Sequence, residues 1–131
     1  MSNKKSSKVI YPDLSYKIVG VLFDVLNECG PGHKEKYYQN AIALALKERG
    51  INFKREVYTP VNYRGTRVGS YYFDFLIENK IILEIKVGER FLQSNIKQIL
   101  TYLKIADLRL GILANFTGLD VQFKRLLNVN L

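Results

Sequence analysis

Three residues whose types and spacing could support catalysis lie close together in the middle of the chain. Asp74 falls in one apolar segment, and Glu84 and Lys86 fall in the next, within the sequence SYYFDFLIENKIILEIKV. Apolar residues at alternate positions predict that both segments are strands, joined by the polar loop 78–80. Because side chains alternate across a strand, Glu84 and Lys86 share one face. Two neighbouring carboxylates favour a divalent cation, and a lysine beside them can stabilise negative charge on a phosphate.

The length of the loop decides whether Asp74 joins these two residues. With three loop residues, Ile77 pairs with Ile81, and Asp74 lies opposite Glu84 on the same face. A two-residue loop would shift the register by one and send Asp74 to the opposite face. The three-residue loop also predicts four side chains in a core on the other face: Phe73, Phe75, Leu83 and Ile85. A Glu-x-Lys pair is equally typical of a solvated strand face, so the rest of the chain has to decide between the two interpretations.

Composition indicates a single domain without a membrane span. The 131 residues can bury a core, and no apolar run approaches the ~20 residues that cross a bilayer. We predict a basic, flexible arm over residues 1–14 and one domain over residues 15–131. The arm lacks the apolar stretch of a signal peptide, which predicts a cytoplasmic location. The single cysteine, Cys29, excludes an internal disulfide, and its place on an apolar helix stripe predicts a role in core packing.

The charge balance points to a polyanionic partner. Lysine and arginine number 20 against 12 acids, which gives a net charge of +8. Neutralisation of phosphates dominates the affinity of proteins for nucleic acids. A carboxylate cluster in so basic a protein therefore suits a phosphodiester substrate better than an acidic one.

Periodicity predicts the elements that must position these residues. A first helix is expected from Ser15, as N-cap, to the stop at Gly30-Pro31-Gly32. Two more helices are expected over residues 34–49 and 91–105. Besides the two strands above, extended segments are expected at residues 53–57, 61–64 and 110–114, while residues 121–129 fit a strand or a helix. This order predicts an α/β fold with a mixed sheet flanked by helices.

Several motifs, taken in order, resemble a known family. Residues 32–38 have the pattern GxxExxY, and Asp74, Glu84-Ile85-Lys86, Gln98 and the pair Asn115-Phe116 follow it. Over residues 15–126 this arrangement resembles the GxxExxY protein family of the PD-(D/E)xK nuclease superfamily. The resemblance implies a restriction-endonuclease-like core of order αβββαβ. It also implies that the protein hydrolyses phosphodiester bonds of DNA or RNA with Mg²⁺ or Mn²⁺.

The resemblance assigns roles to individual residues. Asp74, Glu84 and Lys86 would be catalytic. The metal would be held by Asp74, Glu84 and the Ile85 carbonyl, with a direct or water-mediated contact from Glu35. Residues 98–102 match the QxxxY motif of RecB-like members. Three residues would then position the substrate: Gln98, Tyr102 and Tyr38.

Each of the supporting residues also has a structural interpretation. Glu35 could be a first-turn acid that the helix dipole favours. Gln98 and Tyr102 could form a helix edge packed on the sheet. The chain could likewise be a nuclease-fold module that binds nucleic acid without cutting it, or an accessory subunit. We favour DNA over RNA, and because 131 residues leave little room for a recognition domain, a homodimer or larger complex would help to set specificity.

Overall fold

The computed structural model describes residues 9–129, in which three helices flank a five-stranded sheet. The helices are α1 (Pro12–Cys29), α2 (Glu35–Glu48) and α3 (Gln93–Ala106). The strands are β1 (Phe53–Tyr63), β2 (Thr66–Ile77), β3 (Ile81–Val87), β4 (Leu110–Phe116) and β5 (Val121–Leu127). Strand order follows the sequence, with β3 and β4 parallel and all other neighbours antiparallel. Since α2, β1, β2, β3, α3 and β4 run in the order αβββαβ, the predicted fold class is confirmed.

The sheet separates two hydrophobic cores. Helices α1 and α2 cover one face, and α3, the crossover between the parallel strands, covers the other. The side chains of β3 alternate between the two cores: Leu83 and Ile85 face α1 and α2, while Ile82 faces α3. A strand buried on both faces is a rigid place on which to mount a site.

Helix α3 approaches the sheet closely at one glycine of β4. A Cβ atom built on Gly111 would lie 2.6 Å from Cγ2 of Ile99, inside any normal contact. Replacing Gly111 with alanine is expected to lower the free energy of unfolding by about 1–3 kcal/mol, because the core must shift to admit the methyl group. Gly20 of α1 has nothing within 4 Å of such an atom, so Gly20→Ala is expected to stabilise the helix. Urea denaturation of both variants tests this, and equal stabilisation by both would contradict the close approach.

The structure corrects two predictions about α1. The helix begins at Pro12 rather than Ser15, which is buried within it, because proline suits the first helical position. Residues 12–14 of the expected arm are therefore helical, and Ile10 and Tyr11 pack against the core. Residues 1–8 of that arm lie outside the described residues. Cys29, the last residue of the helix, is exposed and not in the core.

Other predicted boundaries differ in ways that matter for the sheet. The segments 53–57 and 61–64 form one continuous strand, β1, with a register shift between Val61 and Asn62. The segment that fitted either a strand or a helix is the strand β5, paired with β4. The predicted helices over 34–49 and 91–105 are confirmed to within two residues.

Candidate active site

The acidic residues lie at a fork between β2 and β3. Ile77 pairs with Ile81, as the three-residue loop predicts, and the antiparallel ladder ends at the pair Phe75 and Leu83. Beyond that pair, β2 continues alongside β1, while β3 continues alongside β4 to Val87. The two strands therefore separate at Asp74 and Glu84, which are the neighbours of this last pair, and we call this point the fork.

At the fork, the two carboxylates accept backbone amides that would bond to carbonyls of the opposite strand in a regular ladder. The Asp74 amide donates to Glu84 Oε1 over 2.6 Å, and the Ile85 amide donates to Asp74 Oδ2 over 2.8 Å. Each carboxylate thus accepts a backbone amide from the opposite strand and keeps its second oxygen for another contact. These reciprocal bonds hold both acids in the predicted opposition.

Asp74 also marks a break in the alternation of β2. Phe75 packs in the core under α1 and α2, as predicted, but Phe73 packs in the opposite core against α3. The prediction that the two phenylalanines share a face is therefore wrong. Glu56 of the neighbouring strand β1 has a left-handed backbone with φ of 49°. Both strands leave regular β geometry at this point. Side chains before and after it therefore do not follow one simple alternation between the two faces of the sheet.

Lys86 lies beside the acids, at the open side of the fork. Its Nζ is 3.9 Å from Glu84 Oε2, so the two side chains share a face as predicted. The side chain of Lys86 is 26% exposed, whereas that of Glu84 is 4% exposed. The ammonium can therefore meet a ligand arriving from solvent while Glu84 stays beneath it. Asn115, opposite Lys86 in β4, donates to the Gly88 carbonyl over 2.8 Å and secures the end of β3.

The start of α2 brings two more side chains to the fork. Glu35 is the first residue of the helix. The positive charge of Lys86 lowers its pKa, and the negative charge of Asp74 raises it. Gln39, one turn later, donates to Glu35 over 3.5 Å, and its side chain also acts on Asp74, where it favours the charged carboxylate. Sequence reasoning missed Gln39, although its i, i+4 spacing from Glu35 puts it on the same helix face.

Burial raises the pKa values of all three acids, and repulsion by Asp74 adds to the increase for Glu84 and Glu35. Burial, followed by the charge of Asp74, raises the pKa of Glu84 to about 8. Burial also raises the pKa of Asp74 and of Glu35, although Lys86 opposes the increase in both. An acid cluster with raised pKa values is electrostatically uncompensated, which is the condition that a bound cation would relieve.

Helix α3 closes the other side of the fork with Tyr102. This tyrosine is buried, its hydroxyl donates to the Tyr72 carbonyl over 3.4 Å, and its ring contacts Tyr71 and Phe73. Burial and then the charges of Glu84 and Asp74 raise its pKa, so Tyr102 lies near the acids. Gln98, one turn earlier on α3, is half-buried, and its predicted contact with substrate stays a prediction.

Tyr38 of α2 has a structural environment. It is 1% exposed and stacks on Phe116 with ring centroids 4.0 Å apart. Its hydroxyl donates to the Gly30 carbonyl over 2.8 Å and accepts the His33 amide over 3.2 Å. These contacts fix the turn that leads into α2, and they favour a structural role over the substrate contact that the resemblance implies.

The donor set at the fork fits a hard divalent cation. Within residues 9–129, no three histidine, cysteine, aspartate or glutamate side chains form a group arranged to hold a metal ion. The fork instead offers two carboxylates with raised pKa values, each with one oxygen that accepts no backbone amide. Magnesium favours this kind of site, because it binds through one or two carboxylates and keeps several waters.

Comparison with known proteins agrees with this geometry. Among solved structures, the crystal structure of SSO0001 is similar in fold, with a TM-score of 0.55 and 23% identity. The match covers 71% of this chain and 50% of that one, so this chain spans about half the length of that relative. The curated proteins give no match. A profile of the PD-(D/E)XK nuclease superfamily matches residues 12–126, nearly the whole chain, and includes every residue of the fork. The chain therefore belongs to the PD-(D/E)XK nuclease superfamily.

Proposed function

We propose that the protein is a metal-dependent nuclease that hydrolyses phosphodiester bonds, with DNA favoured over RNA as substrate. The observation that carries this proposal is the fork itself, where half-buried Asp74 and buried Glu84 lie opposite each other with a lysine at the solvent side. Membership of the superfamily supports the same chemistry. The net charge of +8 supports a polyanionic substrate.

The proposed roles follow from position. Asp74, Glu84 and the Ile85 carbonyl would hold the cation, and Mg²⁺ or Mn²⁺, when bound, would supply Lewis-acid activation of the phosphate and of the attacking water. Lys86 would orient that water or neutralise the charge that develops on the phosphate. Glu35, whose charge is acted on by both Lys86 and Asp74, would make its contact through a water molecule.

Supporting residues set the shape of this site. Gln39 hydrogen-bonds Glu35 and favours the charged form of Asp74, so it would help to keep the start of α2 aligned with β2. Tyr102 and Gln98 would position the phosphate from the α3 side.

No helix among the described residues is long and apolar enough to cross a membrane. We also propose a cytoplasmic location and a homodimer or larger complex, both of which rest on the sequence.

A cleavage assay tests the proposed activity. Purified protein is incubated with labelled single-stranded DNA, double-stranded DNA and RNA, each with Mg²⁺, with Mn²⁺ or with EDTA. Cleavage of DNA that requires a metal and disappears in EDTA is the expected result. Binding of the same substrates without cleavage under any of these conditions would overturn the proposal in favour of a non-cleaving module.

A further inference from the structure

The ends of β1 and β2 form a hairpin that projects beyond both cores. We call residues 58–72 the tyrosine hairpin. Every residue from 62 to 72 is exposed, although the two strands stay paired up to Tyr63 and Thr66 at the tip. The turn itself, Arg64-Gly65, has positive φ at both residues, a geometry typical of tight hairpins. The outer part of the hairpin, residues 62–70, is therefore ordered by its own strand pairing and open to solvent, whereas Thr59 nearer the cores is buried.

The exposed surface of the tyrosine hairpin is aromatic and basic. Tyr58 and Tyr72 pair across the strands with ring centroids 5.4 Å apart, and they are 45% and 61% exposed. At the tip, the Arg64 guanidinium lies over the ring of Tyr63, 5.1 Å from its centroid, and Arg67 donates to the Tyr58 hydroxyl. The hairpin contains no acidic residue. Exposed rings that arginines accompany, without acids, form a surface complementary to a polyanion with aromatic groups.

The tyrosine hairpin begins at the fork. Tyr72 precedes Asp74 by two residues on β2, a distance of about 7 Å along a strand. On the other face, Tyr71 contacts Tyr102 with ring centroids 5.3 Å apart, which joins the hairpin to the α3 side of the site. A strand of nucleic acid that crosses the fork would therefore continue directly onto the hairpin.

We propose that the tyrosine hairpin is a stacking arm that binds an unpaired nucleic-acid strand next to the cleavage site. This inference rests on the proposed nuclease function and specifies the form of its substrate. Bases of an unpaired strand present their faces to aromatic rings, while those of a duplex are stacked on each other and hidden. Tyr58 and Tyr72 would stack bases, and Arg64 and Arg67 would contact phosphates.

A second copy of the chain fits this surface less well. β1 is the edge strand of the sheet, and Pro60 removes one of the amides that strand addition would need.

The experiment measures binding separately from cleavage. Fluorescence anisotropy in EDTA follows the full chain with a labelled single-stranded DNA, the matched duplex and a single-stranded RNA. Tyr58→Leu with Tyr72→Leu keeps apolar bulk but removes both rings. We expect this double variant to bind single strands at least about five-fold more weakly, at the low end of base–aromatic stacking, with a smaller change for duplex. Tyr58→Phe with Tyr72→Phe should bind like the wild type, as should Tyr16→Leu, which changes an exposed tyrosine of α1.

Salt dependence gives a second measurement that does not depend on the tyrosine variants. Arg64→Gln with Arg67→Gln should reduce the slope of log affinity against log salt by about 1.4, because each phosphate contact on a single strand contributes about 0.7. The matched control is Lys17→Gln with Lys47→Gln, which removes the same charge from helices α1 and α2 and should leave the slope unchanged.

Three results would overturn the stacking arm. They are unchanged single-strand binding by the leucine variant, an equal loss on duplex, and an equal change of slope in the lysine control. Ultracentrifugation adds a fourth, since a dimer that dissociates in the leucine variant while DNA binding persists would assign the surface to a second copy. If the wild type binds single strands through the hairpin but never cleaves them, the nuclease proposal fails and the arm stands.

Discussion

Asp74→Asn is expected to slow metal-dependent cleavage by at least about 100-fold while the protein stays folded. The substitution replaces a charged ligand with a neutral amide, and Lewis-acid stabilisation by a metal is worth several kcal/mol, at about 1.4 kcal/mol for each ten-fold change in rate. Asparagine can still accept the Ile85 amide that Asp74 Oδ2 accepts in the structure. Alanine would leave that buried amide without a partner at a cost of about 1–3 kcal/mol, and so confuse loss of chemistry with loss of fold.

Lys86→Met provides the second half of this test. It should also stop cleavage, but it should leave metal affinity largely intact because an ammonium is not a metal ligand. Calorimetric titration with Mg²⁺ or Mn²⁺ separates the two variants, with affinity lost for Asp74→Asn and kept for Lys86→Met. Glu48→Gln, which neutralises an exposed acid at the far end of α2, should change neither property. Wild-type cleavage by Asp74→Asn would show that the reactive site lies elsewhere in the chain.

The free energy of unfolding of the metal-free protein is expected to fall as the pH rises from about 5 to about 8. In the folded protein the pKa of Glu84 is raised from its ordinary 4.5 to about 8, so within this window the folded state holds more protons than the unfolded state. The contribution of Glu84 to the free energy of unfolding is therefore complete below its pKa in the unfolded chain. It is lost as the pH rises through its pKa in the folded protein, by up to about 1.4 kcal/mol per pH unit for one proton. The raised pKa values of Asp74 and Glu35 act with the same sign.

Urea denaturation in EDTA at several pH values measures this loss. Glu84→Gln should flatten the dependence, because the amide oxygen can still accept the Asp74 amide but no longer titrates. Glu48→Gln should retain the wild-type slope. Added Mg²⁺ should stabilise the wild type more at pH 8 than at pH 5.5, since the metal binds the deprotonated acids. A stability that rises with pH in EDTA, or an unchanged slope in Glu84→Gln, would contradict this account of the fork.

Local patterns in the sequence determined the fold class and much of the site. The polar loop 78–80 set the pairing of Ile77 with Ile81, and strand parity put Glu84 and Lys86 on one face. Both are short-range properties: a tight loop fixes the register of a hairpin, and side chains alternate in any regular strand. Helical periodicity likewise located the three helices to within a few residues. An amphipathic helix needs apolar residues at intervals of three to four, and this spacing is visible in the sequence.

Tertiary structure alone decided the features that depend on distant parts of the chain. The break at Asp74, which sends Phe73 and Phe75 to different cores, arises where β2 leaves β3, and no pattern within β2 reports that separation. Cys29, at the end of α1, is exposed although it lies one turn after buried Val25 on the same stripe. The outer part of the tyrosine hairpin, residues 62–70, is exposed because its strands continue beyond both cores. Burial is set by what packs against a residue, and for these residues the packing partners, or their absence, lie far along the chain.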